Sequence, residues 1–281
     1  MNNNHKHSSL FHTLLQAAIA IILCGPGVVA AQTGNDHVTV NLTDPARPAT
    51  LRVHLLAGSI TVKGGAGKDV VVDAKVRGHE PQRTENGMKR IPMNVTGLTV
   101  EEENNQVDVK SEMIQRTVDL IITVPRRTSV SAKTVNDGDI AVSDVEGEID
   151  VSDVNGSVTI TNVAGSAVAH SVNGRVLATF TRIDPKPMAF SSLNGDIDVT
   201  FPPDLKASVS FQSDQGEVLS DFDVQLQATP PKPITDESRG NGKVYRVRTE
   251  KSVHGTINGG GPEMQFKTFN GNIYVRKTGS K

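Results

Sequence analysis

The chain has one cysteine, Cys24, no tryptophan, two tyrosines and eight phenylalanines in 281 residues. A lone cysteine excludes an internal disulfide framework, so stability has to come from apolar burial and backbone pairing. So few aromatic rings leave little material for the exposed faces on which sugars and nucleobases stack. An excess of either charge is missing too. The 29 Lys and Arg against 31 Asp and Glu give a net charge of −2, too balanced to point to nucleic acid or another polyanion. The apolar run Leu14–Leu23 is too short to span a bilayer.

That run follows Lys6 and precedes Val29-Ala30-Ala31, small residues placed as before a cleavage point. Residues 1–31 therefore read as a secretory signal peptide, with a mature chain starting at Gln32 and lying in the periplasm, on the cell surface or outside the cell. A lipoprotein signal ending at Cys24 is the alternative, and Leu23 argues against it because a small residue normally precedes the lipidated cysteine. Cleavage removes one basic residue and no acid, which leaves a charge of −3, no cysteine and no transmembrane span.

What the chain has in quantity is glycine at a fixed interval. Gly138, Gly147, Gly156, Gly165 and Gly174 follow one another every nine residues, and Gly195 and Gly271 restore the pattern after insertions. Apolar residues dominate two before, two after and four after each glycine, with mostly polar residues between. A period of two inside a period of nine describes short stacked strands, each burying one side. The alternation resets once per row, across Ser143-Asp144, Ser152-Asp153, Thr161-Asn162 and His170-Ser171, pairs suited to corners because their side chains bond nearby backbone. The expected fold is all-β: a right-handed parallel β-helix or solenoid-like stack with two rows, about 18 residues, per coil. The alternative is an antiparallel meander or sandwich turning at Asn155-Gly156 and Asn173-Gly174.

Around this repeat, residues 32–127 read as a less regular N-terminal β region and residues 128–281 as the glycine-punctuated β-repeat region, with a soft boundary after Pro125-Arg126-Arg127. Polar Arg77–Pro92 and proline-rich Gln227–Lys243 read as long exposed loops. The row around Gly271 reads as the final row and cap.

Motifs that carry chemistry are sparse. Asp139, Glu148, Asp150, Asp196 and Asp198 are expected to face outward, where stacking could line them up as a calcium-holding ladder. The repeated Gly-Gly-x-Gly-x-Asp signature is absent, so a solvated face is the expectation. His37, His54, His79, His170 and His254 lack metal spacing. Gly259-Gly260-Gly261 opens no helix and is no nucleotide loop. Arg175 beside the acidic row could serve a polysaccharide lyase, and Asp196 with Asp198 a glycosidase, yet neighbours at i and i+2 on one strand do not flank a sugar bond. No catalytic residue, cofactor or metal is assigned.

The Gly-Asp-Ile and Asn-Gly rows, the strand ending at Pro125, and Asn258-Gly259-Gly260-Gly261-Pro262 followed by Asn270-Gly271-Asn272-Ile273 resemble the bacterial DUF4097 family of adhesin-like, β-strand-repeat proteins. The resemblance covers most of the chain after residue 31 and implies an exported scaffold with a structural or adhesin-like role at the cell envelope. It brings no catalytic residues with it. The alternative function is a carbohydrate-active enzyme, a polysaccharide lyase or glycosidase, on a β-helical scaffold.

Overall fold

Among the described residues, alternation of apolar and polar side chains produces only strands as regular elements. The computed structural model describes residues 35–78, 84–85, 88–89, 95–111, 116–227, 234–235, 247–248 and 252–279. The two long loops expected from the sequence lie largely outside these residues. The strands begin with β1 (Asn35–Val40), β2 (Ala49–Leu55), β3 (Ile60–Gly65), β4 (Val70–Val76), β5 (Thr84–Glu85) and β6 (Met88–Lys89). Next come β7 (Leu98–Glu103), β8 (Gln106–Ser111), β9 (Val118–Pro125), β10 (Thr128–Thr134), β11 (Ile140–Ser143) and β12 (Glu146–Asp153). The repeat continues with β13 (Val158–Asn173), β14 (Val176–Ile183), β15 (Met188–Asn194), β16 (Ile197–Phe201), β17 (Ala207–Gln215) and β18 (Val218–Ser220). The last six are β19 (Val224–Gln227), β20 (Ile234–Thr235), β21 (Val247–Arg248), β22 (Ser252–Ile257), β23 (Glu263–Asn270) and β24 (Ile273–Lys277).

Twenty of these strands belong to one sheet, and β5–β6 and β20–β21 form two small separate pairs. The sheet has two faces. On the first, β8, β2, β10, β12, the second half of β13, β15, β23 and β17 lie side by side in parallel. On the second, β9, β3, β11, the first half of β13, β14, β16, β24 and β18 do the same. Each coil is one strand from each face, as in β10 then β11, or β15 then β16. The parallel ladders identify a solenoid with two rows per coil and exclude the antiparallel meander. Antiparallel strands close the ends, β7 on β8 and β1–β4 on β9 at one end, β22 and β19 beyond β17 at the other. The irregular and regular sequence regions share this sheet across residue 127, because β10 pairs with β2 and β11 with β3.

Chain order and stacking order differ at both ends. The β8–β9 coil lies outside β2–β3, while the later β10–β11 coil packs on its other side. At the far end the coil closing the chain, β23–β24, is slotted between β15–β16 and β17–β18. Gly271 therefore marks an interior row, and the expectation of a terminal cap there is corrected. The physical reason is pairing. An inserted parallel coil gains a ladder on both sides, whereas a terminal one leaves an edge.

The core fills the space between the faces. Ile140, Ile149 and Val158 are buried in one cluster with the other inward residues. Its later coils are built on phenylalanine: Phe180 stacks on Phe201 at 5.4 Å, Phe190 on Phe266 at 5.4 Å and Phe211 on Phe266 at 5.3 Å. Five of the eight phenylalanines are thus consumed inside.

The corners correct part of the repeat reading. Asp144 and Asn162 turn with φ of 58° and 55°, as corner residues do. Ser152-Asp153 and His170-Ser171 instead lie within β12 and β13. On that side the chain turns a few residues later, at the Asn-Gly pairs. The residue two before glycine is therefore inward in one kind of row, where Val145 and Val163 are buried, and outward in the other, where Leu193 and Phe269 are 46% and 44% exposed.

Candidate interaction surface

The glycines make the corner possible. A Cβ on Gly156 would lie 2.1 Å from the Gly138 carbonyl oxygen, and one on Gly174 2.1 Å from that of Gly156. Gly195 and Gly271 stack in the same way on Gly174 and Gly195, Gly138 stacks on Gly58, and Gly165 stacks on Gly147 across the other corner. Any side chain there would drive the coils apart.

Three polar columns run along the Asn-Gly corner at one residue per coil. The first is an asparagine ladder. Asn155 donates its side-chain amide to Asn136 at 3.0 Å, Asn173 to Asn155 at 2.9 Å, Asn194 to Asn173 at 2.8 Å and Asn270 to Asn194 at 2.8 Å. The second column is internal. The hydroxyls of Thr134, Ser171, Ser192, Thr268 and Ser213 donate to the carbonyls of Gly58, Gly156, Gly174, Gly195 and Gly271 at 2.8–3.1 Å. The third follows the glycine, where a side-chain acceptor takes the backbone N–H of the next coil: Asp139 from Ser157 at 2.7 Å and Asp196 from Asn272 at 2.8 Å.

One member of the internal column is anomalous. Asp153 stands between Thr134 and Ser171, where the pattern requires a hydroxyl to donate to Gly138. It is 0% exposed and neither carboxyl oxygen has a hydrogen-bond partner. The amides of Val154 and Asn155 are committed to the Thr134 and Val135 carbonyls. Burial pushes the Asp153 carboxyl up to about 7; the nearby Asn155 amide opposes this, and the negative charge of Asp139 adds to it.

The five acidic residues do not form a ladder. Asp139 and Asp196 share a column but are separated by Ser157 and Arg175. Asp198 sits two residues further along β16, 2.7 Å from Arg276. Glu148 and Asp150 are on the other face, with Glu148 paired to Lys186. Among the described residues no three His, Cys, Asp or Glu side chains are grouped to hold a metal ion. The histidines are likewise apart: His37 meets Asp73 at 2.6 Å, His170 meets Ser191 at 2.8 Å and His254 meets Ser252 at 3.2 Å, while His79 lies outside the described residues. Arg175 is exposed. Asn258, Gly259 and Gly260 form a positive-φ turn leading into β23, and the Asn258 amide is tied to the Leu205 carbonyl at 2.7 Å.

Open depressions occur among the described residues. One, of about 410 Å³, is lined by Ser59, Arg77, Asn136, Asp137, Gly138, Asp139 and Asn155. Arg77 is already held there by Asp119, the Ser59 hydroxyl and the Asp137 carbonyl. Burial pulls the Asp119 carboxyl upward, but the guanidinium and the Ser59 amide outweigh it and hold Asp119 below the usual carboxylate range. Another, of about 490 Å³, crosses the outer side of the first face past Arg52, Ser131, Glu148, Asp150, Val168 and Lys186. In both, the charged groups that contact one another are opposite in sign.

The outward side of the first face also carries a pattern the sequence reading missed. Lys110, His54, Lys133, Ser152, His170, Ser191 and Lys267 are in register on successive strands. Two residues further on, Leu56, Val135, Val154, Val172, Leu193 and Phe269 make a parallel apolar ridge. The signal was present in the sequence, but it needs the stacking register to be assembled.

No curated protein sequence matches the chain significantly. Among solved structures, a Clostridium sporogenes protein named for cell adhesion superposes over 87% of this chain and 100% of its own, at 9% identity and a TM-score of 0.41. A Bacteroides fragilis protein named for adhesion superposes over 86% of this chain and 96% of its own, at 13% identity and a TM-score of 0.35. At these scores neither likeness adds to what the strand pairing establishes. The family model described as Toastrack DUF4097 matches residues 35–258, most of the length, and the chain belongs to that family.

Proposed function

We propose that the chain is an exported cell-envelope protein whose solenoid is a scaffold for adhesin-like interaction and not an enzyme. The observation that carries this reading is the use to which its polar groups are put. Asp139, Asp196 and the asparagines bond the next coil, and Glu148, Asp198 and Asp119 pair with cations. A catalytic site needs convergent groups left available to a substrate. A scaffold needs the reverse, with corners satisfied and outward columns repeated. Export rests on the sequence of residues 1–31. Among the described residues no helix is long and apolar enough to cross a membrane.

The experiment is cell fractionation of the native host or a bacterial expression host, with N-terminal sequencing of the product. Recovery outside the cytoplasm with an N-terminus at Gln32 supports the reading. An unprocessed cytoplasmic product, or an acylated N-terminus at Cys24, would replace it.

A further inference from the structure

The lysine and histidine column and the apolar ridge lie next to each other on one outward face, and together they form an amphipathic surface. Strand alternation puts Leu51, Val53 and Leu55 inside, so Arg52, His54 and Leu56 point out, and the same holds on every strand of the face. The ridge comprises Leu56, Val135, Val154, Val172, Leu193 and Phe269. Leu56, Val135, Leu193 and Phe269 are 44%, 39%, 46% and 44% exposed, and the two valines between are half-buried. Six positions at the strand spacing of about 4.8 Å give a ridge about 24 Å long. Scattered exposed apolar residues need no explanation, but six in register do.

The neighbouring column supplies the charge. Lys110, Lys133 and Lys267 are exposed, and no acid occurs in the column between them. Among the described residues the nearest carboxylates within this face, Asp108 and Asp150, stand one column further from the ridge than the lysines, Glu148 and Glu263 stand two columns further, and Asp214 terminates the ridge beyond Phe269. On its other side the ridge is flanked by the neutral asparagine ladder. Apolar side chains with lysines alongside match an interface that is apolar below and anionic at its surface.

We propose that this face docks on an anionic lipid bilayer, with Leu193 and Phe269 entering the headgroup boundary and Lys133 and Lys267 meeting lipid phosphates. The inference rests on the scaffold reading and names its partner. A soluble anionic polysaccharide would use the lysines but gain nothing from an aliphatic ridge, so the ridge decides between them. Docking this way lays the solenoid axis along the membrane and leaves the second face, with Asp198, Tyr274 and Arg276, turned away.

The test uses residues 32–281, which contain the whole sheet and core and form one compact unit from Thr33 onward. This avoids the apolar N-terminal run. The protein is sedimented with phosphatidylcholine vesicles, with and without about one-third phosphatidylglycerol. The expected result is binding that requires the anionic lipid and weakens with salt. Lys133→Glu with Lys267→Glu should weaken it at least about 25-fold, from roughly fivefold for each lost charge. Phe269→Asp should abolish it, and Lys63→Glu on the second face should leave it unchanged. All these side chains are exposed, and an unchanged melting temperature confirms that each variant is folded. Absence of vesicle binding, binding indifferent to Phe269→Asp, or binding only to a soluble polyanion such as dextran sulfate would each overturn the proposal. None of these outcomes depends on where the N-terminus is processed.

Discussion

Asp153 should make the solenoid less stable as pH rises, and its replacement by serine should remove that loss. In the folded chain its carboxyl is pushed from 3.8 up to about 7 by burial, with Asp139 adding to the effect. A raised carboxyl pKa means that the native state holds the proton more tightly than the unfolded chain. The penalty is therefore absent below about pH 4, grows as pH rises from there towards 7, and is fully present above that. Its full size is about 4 kcal/mol, an upper figure because the coil can relax around the charge. Between pH 5 and pH 8 the expected change is roughly 2–3 kcal/mol. Serine would restore the hydroxyl that Thr134 and Ser171 supply on either side, with Gly138 as its acceptor. Removing the larger side chain leaves a small void, but that offset does not vary with pH. The assay is urea unfolding of residues 32–281 at pH 5 and pH 8, wild type against Asp153→Ser. The gain on substitution should be larger at pH 8 by that amount. Parallel pH profiles for the two proteins would refute the reasoning.

Two further outcomes follow from the corner. Gly156→Ala should destabilise by about 3 kcal/mol or more, because its Cβ would meet the Gly138 carbonyl oxygen at 2.1 Å, whereas Gly67→Ala, with nothing within 4 Å, should change little in the same thermal melts. Added calcium should leave the melting temperature unchanged, since Asp139 and Asp196 are engaged with backbone N–H groups, while Asp196→Ala should cost about 1 kcal/mol through the lost bond to Asn272.

Much of the scaffold was legible because glycine every nine residues and strict alternation are both local signals. Ile140, Ile149 and Val158 could be placed in one core from spacing alone, and two rows per coil followed from the reset in phase. What spacing could not separate was the two kinds of row. Val145 and Leu193 occupy the same place relative to glycine, but Val145 is 1% exposed and Leu193 is 46% exposed. The difference arises because Ser192 takes the inward place and bonds the Gly174 carbonyl, a contact with a neighbouring coil. The internal hydroxyl column, the irregularity of Asp153 and the cationic column share this origin. Each is a relation between residues on neighbouring coils, 15 apart in the Ser171–Gly156 bond and further in most others, visible only once the strands are in register. The acidic residues failed as a ladder for the same reason: outward position was inferred correctly, but Asp139 and Glu148 belong to different faces.

The stacking order departs from chain order where β23–β24 is inserted, and introduced cysteines test it directly, since residues 32–281 contain none. Leu193 and Phe269 are register neighbours on β15 and β23, while Asp214 on β17 lies one strand further away. Adjacent strands are about 4.8 Å apart, within disulfide reach, and a strand skipped puts the pair at about 9.6 Å, beyond it. Under mild oxidation Leu193→Cys with Phe269→Cys should form an intramolecular bond, and Leu193→Cys with Asp214→Cys should not. The opposite result, with the 193–214 pair closing and the 193–269 pair remaining open, would place the last coil at the end of the stack and contradict the insertion.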